Sequence, residues 1–284
     1  MNTILVTGRN GFIANELVQV LKKNHKIISI IRSRKPHVDY SQEELVISDL
    51  QSLMLEQLRH VSIDVIIHAA AMINGVPKIL ERHNIETSKR IFDIARQLKA
   101  PVVFFSSTNA VFSEVLGAYA RSKRACEEKL QNSGLKYLIL RIPFVVGANA
   151  PTIKAIKNFY KKFSFLPLFG PQRGETHIVN IAAIINFVVE KIRQGHFAQE
   201  TVNLIGRKAY IYPEIIEHVL NRKVLFFILP YSLSLKACQF FELLGLPFPI
   251  SSEHVKSLNL DKILAGDREG KTIFVGDEVE VFRQ

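Results

Sequence analysis

Two kinds of apolar stretch alternate along the first half of the chain. Short runs rich in β-branched residues predict strands over 3–7, 26–31, 45–48, 63–68, 102–106 and 136–140. Longer amphipathic stretches between them predict helices over 11–23, 52–60, 78–99 and 118–133. The runs Ile63-Asp64-Val65-Ile66-Ile67 and Val102-Val103-Phe104-Phe105 are apolar on both faces, as central strands are when helices cover both sides of a parallel sheet. Such alternation implies right-handed crossovers and a doubly wound α/β sheet. After Gly147 the rhythm turns irregular, with helix-like stretches at 151–163, 180–193, 212–221 and 232–244 between Pro- and Gly-containing turns. The expected organisation is a main domain from 1–149 and 176–199, with a smaller substrate lobe from 150–175 and 200–284.

Composition adds a charge. The 284 residues hold 37 Lys plus Arg against 26 Asp plus Glu, a net charge of +11, which favours anionic partners such as nucleotides. No basic stripe interleaved with aromatics stands out, so nucleic acid is not an expected partner. Cys126 and Cys238 have no metal spacing, and neither a metal site nor a disulfide framework is expected. Met1-Asn2-Thr3 does not open a signal peptide, and no run reaches the ~20 apolar residues of a transmembrane helix. A cytoplasmic protein without stable membrane insertion is therefore expected. The greasiest segment, 224–250, is expected to form the core of the C-terminal lobe, with contact to a membrane or partner as the alternative.

Ligands of doubly wound sheets bind beyond the carboxyl ends of the strands, and the distinctive residues fall there. The first strand ends in Thr7-Gly8-Arg9-Asn10-Gly11-Phe12-Ile13-Ala14, where glycines let the backbone approach a phosphate at a helix start. Arg32, ending the second strand, suits the 2′-phosphate of NADP, where an acidic residue would suit the ribose hydroxyls of NAD. Asp49-Leu50 is placed for the adenine edge, and Ala69-Ala70-Ala71 supplies small residues where a cofactor passes. His68, alone at a strand end, reads as structural. Tyr119 and Lys123 share a helix face, so the ammonium is expected to lower the phenol pKa. Ser106-Ser107-Thr108 lies upstream, at the end of the fifth strand, with hydroxyls able to polarise the same substrate oxygen.

Taken in order, these motifs resemble an extended short-chain dehydrogenase/reductase, and Asn84-Ile85-Glu86-Thr87 resembles that family's asparagine-bearing helix. The resemblance implies a Rossmann-like fold and a nicotinamide cofactor. It makes Thr108 the residue that orients the substrate oxygen, Tyr119 the general acid/base and Lys123 the ligand of the nicotinamide ribose. It places Gly8, Asn10, Gly11, Phe12, Ile13, Arg32, Asp49, Leu50, Ala69, Ala70, Ala71 and Pro143 around the cofactor, and Thr108, Asn109, Phe144 and Arg173 around the substrate.

The stretches 140–147, 166–170 and 257–261 resemble bacterial enzymes that reduce or epimerise C4 of nucleotide-diphosphate sugars for surface polysaccharide. Three departures stand out: Phe112 replaces the usual tyrosine, Phe144 a substrate-binding asparagine, and only 113–118 joins Phe112 to Tyr119, where the family's loop is much longer. Thr108 is followed by Asn109-Ala110, with no carboxylate for a dehydratase's elimination. Arg32 tilts the choice to an NADP(H)-dependent reductase; an epimerase with tightly bound NAD(H) is the alternative, and a non-catalytic NADP(H)-binding sensor or assembly protein the second. Helices 78–99 and 118–133 suggest a homodimer, with Ile79, Ile91, Ile94 and Leu98 as its apolar contacts.

Overall fold

A computed structural model describes residues 1–58, 61–244, 250–264 and 270–276. The main sheet has eight parallel strands. Six follow the predicted rhythm: β1 (Thr3–Thr7), β2 (Lys26–Ile31), β3 (Glu43–Ile47), β4 (Val65–His68), β5 (Val102–Ser107) and β6 (Tyr137–Ile142). The smaller lobe contributes β7 (Phe144–Val146), β8 (Leu166–Phe169) and β9 (Glu175–Asn180). They are followed by β10 (Glu200–Gly206), β11 (Ala209–Ile211), β12 (Phe226–Leu229) and β13 (Lys271–Val275). The main sheet runs β13-β10-β6-β5-β4-β1-β2-β3. The chain therefore switches direction between β1 and β4, where a doubly wound sheet opens a ligand crevice.

Helices are α1 (Phe12–Leu21), α2 (Pro77–Leu98), α3 (Ala118–Gln131), α4 (Pro151–Phe163) and α5 (Ile181–Gln194), then α6 (Tyr212–Leu220), α7 (Tyr231–Leu243) and α8 (Ser252–Leu258). The two-residue period of β1 divides the core. Ile4 and Val6 join Leu17 and Val18 of α1 and Ile184 and Val188 of α5. Leu5 points the other way, into the cluster of Ile91 and Phe92 on α2 and Leu130 on α3. Both faces of the sheet are thus covered, as the all-apolar central strands required. The predicted helix over 52–60 is reduced to one 3-10 turn, Leu55–Leu58, with 59–60 outside the described residues.

The domain boundary is corrected. β10 and β13, expected in the smaller lobe, extend the main sheet beside β6. In turn β9, expected in the main domain, pairs with β7 and β11 in a separate three-stranded sheet, while α5 does pack on the main core. The smaller lobe is built on that sheet, on α4 and α6, and on the parallel pair β8–β12. Its apolar segment is not a core. Phe227 is 60% exposed and Leu225 72%, and α7 buries only Ser234 and Cys238. Residues 245–249 of that segment lie outside the described residues.

The grounds for a helix-to-helix dimer also change. Ile91 and Ile94 are fully buried in the protomer's own core and Leu98 packs against the same cluster, leaving Ile79 as the exposed candidate. Two buried ion pairs brace the sheet. Arg9 donates through Nε and Nη2 to the Glu43 carboxylate, at 2.8 and 2.6 Å, and Ser29 donates to the same carboxylate. Arg141 on β6 donates to Glu127 of α3, which also accepts from Ser106. Among the described residues, no helix is long and apolar enough to cross a membrane.

Candidate active site

The groove starts at the glycine turn. Gly8 has a φ of +75°, and a Cβ there would lie 2.6 Å from the Ala70 nitrogen and 2.7 Å from the Ala69 carbonyl carbon. Only glycine lets the end of β1 press against the small residues that follow β4. The Gly11 N–H donates to the Gly8 carbonyl at 2.7 Å and then opens α1, whose N-terminus has no side-chain cap and no acidic residue in its first turn. Its first N–H groups are therefore directed at any anion lodged in the turn.

Two clefts meet at this point and share Gly8, Gly11, Ala69 and Ala71. The outer cleft, about 350 Å³, is lined by Asn10, Arg32, Lys35, Asp49, Leu50 and Ala70. Asn10 donates to the Ser33 carbonyl and accepts from the Tyr40 hydroxyl, tying the glycine turn to the loop after β2. The Asp49 carboxylate accepts the Gln51 N–H and holds its own turn. Arg9, next to Gly8, is neutralised by Glu43, whereas Arg32 and Lys35 are exposed and form no ion pair among the described residues.

The inner cleft, about 610 Å³, is lined by Phe12, Ile13, Ser107, Asn109, Tyr119, Lys123, Pro143 and Phe144. The Lys123 ammonium donates to the Phe105 carbonyl at 2.8 Å and lies 5.8 Å from the centre of the Tyr119 ring. Burial pushes Lys123 down to about 8. The Tyr119 phenol is shifted up instead of down, by burial first and then by the Glu253 carboxylate. Desolvation and a nearby negative charge both favour the neutral phenol, and together they outweigh the ammonium. The side chain is thus held as a proton donor. Ser107 and Asn109 form the opposite wall, and the Ser107 hydroxyl accepts the Asn109 N–H at 3.2 Å. Thr108, expected to face the substrate, is 3% exposed and does not line the cleft. Arg173 is exposed on the turn between β8 and β9, also outside the lining.

Supporting residues fix this wall. Asn84 on α2 accepts the Met72 N–H at 2.7 Å, donates to the Met72 carbonyl at 2.9 Å and donates to Ser122 of α3. It thereby anchors the 69–72 segment to both helices. His68 is buried between the Thr7 and Ser88 hydroxyls and stacks on Phe104. Burial, with the Lys123 charge, pushes it down to about 3, so it acts as a neutral brace.

Glu253, Arg121, Lys256 and Glu242 also line the inner cleft, and the motif reading did not select them. Glu253 on α8 accepts the N–H groups of Tyr119 and Ala120 at 2.9 and 3.0 Å, so a residue more than 130 positions away caps the helix that carries Tyr119. A Cβ on Gly117 would lie 2.6 Å from that carboxylate. Glu242 on α7 in turn accepts the Ser252 N–H and hydroxyl, both at 2.7 Å, at the start of α8. The caps chain α7 to α8 to α3, and this is how the short 113–118 connection is closed at the cleft. Among the described residues, no group of three or more His, Cys, Asp or Glu side chains is placed to hold a metal ion.

The sheet, the glycine turn and the Tyr119–Lys123 pair define a dinucleotide-binding protein of the extended short-chain dehydrogenase/reductase type. A sequence profile of the NAD dependent epimerase/dehydratase family matches residues 4–204, and the chain belongs to that family. It is 25% identical over 268 residues to an uncharacterised UDP-glucose epimerase of Bacillus subtilis, covering 78% of this chain and 83% of that one. The structure is similar to UDP-glucuronic acid 4-epimerase from Bacillus cereus in complex with NAD, with TM-score 0.67, 20% identity and coverage of 92% and 95% of the two chains. It is also similar to dTDP-4-dehydrorhamnose reductase from Yersinia enterocolitica, with TM-score 0.64, 19% identity and coverage of 82% and 85%.

Proposed function

We propose that the chain is an NADP(H)-dependent oxidoreductase that reduces the C4-keto group of a nucleotide-activated deoxy or amino sugar, in the assembly of a surface polysaccharide. The observation that carries this reading is the contrast at the outer cleft: Arg9 is paired with Glu43, while Arg32 and Lys35 line the cleft without an ion pair among the described residues, available to a 2′-phosphate. The turn fits such a cofactor, because α1 begins there with no side-chain cap and no acidic residue in its first turn, leaving its N–H groups for an anion. In this reading Gly11, Phe12 and Ile13 hold the pyrophosphate, and Asp49 and Leu50 flank the adenine. Ala69, Ala70 and Ala71 give clearance, and Pro143 backs the nicotinamide end. Bound NADPH would supply the hydride.

Tyr119, kept neutral by its surroundings, donates a proton to the substrate oxygen. Lys123 orients the ribose and stays cationic near neutral pH. Ser107, which lines the cleft where Thr108 was expected, supplies the polarising hydroxyl, with Asn109 and Phe144 against the sugar. Lys256, and Arg121 which is paired with Glu81, replace Arg173 as the candidate cationic contacts of the substrate. The test is a screen of UDP-, dTDP- and GDP-4-keto-6-deoxy sugars, following NADPH consumption. Turnover with NADPH and not with NADH is the expected result.

A second reading, C4-epimerisation with tightly held NAD, is favoured by the names of the similar proteins from Bacillus subtilis and Bacillus cereus. Mass spectrometry of the nucleotide that co-purifies separates the two. Stoichiometric NAD supports the epimerase; an exchangeable NADP supports the reductase.

A further inference from the structure

Outside the cleft lining, the surface built on β8 and β12 has an unusual composition. The segments 151–174 and 218–241 supply α4, β8, β12 and most of α7. Together they hold eight Lys or Arg and no Asp or Glu, so most of the chain's excess positive charge sits in them. They are also joined in space. Leu166 donates its N–H to the Leu225 carbonyl at 3.0 Å, and Phe226 and Phe227 pair in register with Leu166 and Pro167. The Arg222 guanidinium lies 5.9 Å from the Tyr160 ring, and the Lys162 ammonium 5.1 Å from the Phe163 ring. Phe159, Phe163 and Phe165 form one ring cluster at 4.6–6.1 Å.

This cluster is open to solvent on its outer side. Phe163 is 45% exposed, beside the strongly exposed Leu225 and Phe227. Lys154, Lys157 and Lys161 recur on the solvent face of α4, and Lys162 is exposed as well. An apolar centre with a lysine collar, in which Lys223 is paired with Glu217 while the α4 lysines form no ion pair among the described residues, has three candidate partners. A second copy docking through the same face would set each lysine group against its twin. Nucleic acid would use the cations and rings, but it has no use for exposed aliphatic side chains such as Leu225 and Ile228. A bilayer with anionic headgroups takes both, phosphate against lysine and acyl boundary against Leu and Phe.

We propose that the face formed by the C-terminal half of α4 and the β8–β12 pair docks peripherally on an anionic phospholipid membrane. The inference does not depend on which reaction the cleft performs, because none of these side chains lines it.

The chain contains no tryptophan, so Leu225→Trp installs a single fluorophore at an exposed point of the face. Vesicles of phosphatidylcholine alone are compared with equal parts phosphatidylcholine and phosphatidylglycerol, by flotation and by emission. The expected result is flotation with the mixed vesicles only, a blue-shifted indole emission from the Leu225→Trp variant, and release by salt. Lys161→Gln with Lys162→Gln should weaken binding about thirtyfold, from the loss of two surface cations. Phe227→Ser should reduce the blue shift while folding, read by circular dichroism, stays unchanged. The proposal is overturned by absence of binding, by binding that ignores the lysine variant, or by an unshifted emission. It is equally overturned if light scattering shows a dimer that the same variants dissolve, or if RNA binds through these lysines in place of the vesicles.

Discussion

The two ends of the groove are built in opposite ways. At the end proposed to hold the adenosine, the lining comes from neighbouring stretches of chain: Gly8 to Gly11, then Arg32, Ser33 and Lys35, then Asp49 and Leu50. At the Tyr119 end the cleft is lined by residues from 105–123 and 142–145, by Glu242 and by residues from 251–257. The first end places exposed cations, without an ion pair among the described residues, beside a turn braced by a buried pair. The second places a half-buried phenol and a buried ammonium under a carboxylate supplied by another lobe. Charge at the first end is available for binding, and charge at the second sets the protonation state of a neighbour.

The largest effect expected at the Tyr119 end is catalytic. Tyr119→Phe keeps the ring and removes the proton donor, so kcat should fall by about 10²–10⁴ while NADPH affinity holds. Single-turnover rates and cofactor titrations separate the two quantities. Ser107→Ala should slow turnover more than Thr108→Val, because Ser107 lines the cleft and Thr108 does not. The reverse order would restore Thr108 as the polarising hydroxyl. Near-normal turnover in Tyr119→Phe would remove the proposed acid altogether.

At the adenosine end the largest effect concerns stability. Arg9→Leu leaves the Glu43 carboxylate buried without its guanidinium, and losing one partner of such a pair costs about 3–5 kcal/mol. Urea denaturation should show that loss, and Glu43→Leu added to Arg9→Leu should recover most of it. If the double variant is no more stable than the single, the brace carries more than charge compensation.

The same contrast governs what the sequence could reveal. The apolar runs at 3–7, 26–31 and 102–106 announce the parallel sheet, because a strand covered on both sides leaves no polar alternation to misread. Gly8 is legible because its positive φ belongs to a local turn, although the contact that demands its small size, with Ala69 and Ala70, is remote in the chain. β10 and β13 are misplaced in the smaller lobe by a sequence reading because β10 pairs with β6, remote in the chain, and β13 joins the sheet only through β10. The Tyr119 pKa moves opposite to the sequence expectation for a related reason: Lys123 is one turn away and visible, whereas the burial that chiefly raises it, and then Glu253 from α8, come from tertiary packing. Segment 224–250 reads as core because hydrophobicity reports a preference for burial and says nothing of whether another element of the same chain supplies it.

Cofactor choice should respond to the loss of one cation at the outer cleft. Arg32→Ala removes a charge-assisted contact, worth about 1.5–3 kcal/mol, so NADP should bind at least about tenfold more weakly. NAD affinity should stay level. Calorimetry with both nucleotides reads the ratio, and an unchanged ratio would assign the 2′-phosphate no partner at Arg32 and weaken the reductase reading.

The smallest expected effect tests how the remote cap acts on the phenol. Glu253→Gln keeps one oxygen for the α3 N–H groups but loses the charge and the second acceptor. Loss of such a cap costs about 0.5–2 kcal/mol of stability. The carboxylate contributes to the raised Tyr119 pKa, so the neutral amide should let the phenol ionise at lower pH. Gly117→Ala should act in the same direction, since its Cβ would displace the carboxylate. With ring-labelled tyrosine, the Tyr119 resonance is assigned as the one missing in Tyr119→Phe, and its midpoint is followed as pH rises. A lower midpoint in both variants ties the α8 carboxylate to the state of the proton donor. A midpoint that stays put, with stability reduced, would leave burial alone in control of the phenol and make Glu253 only a helix cap.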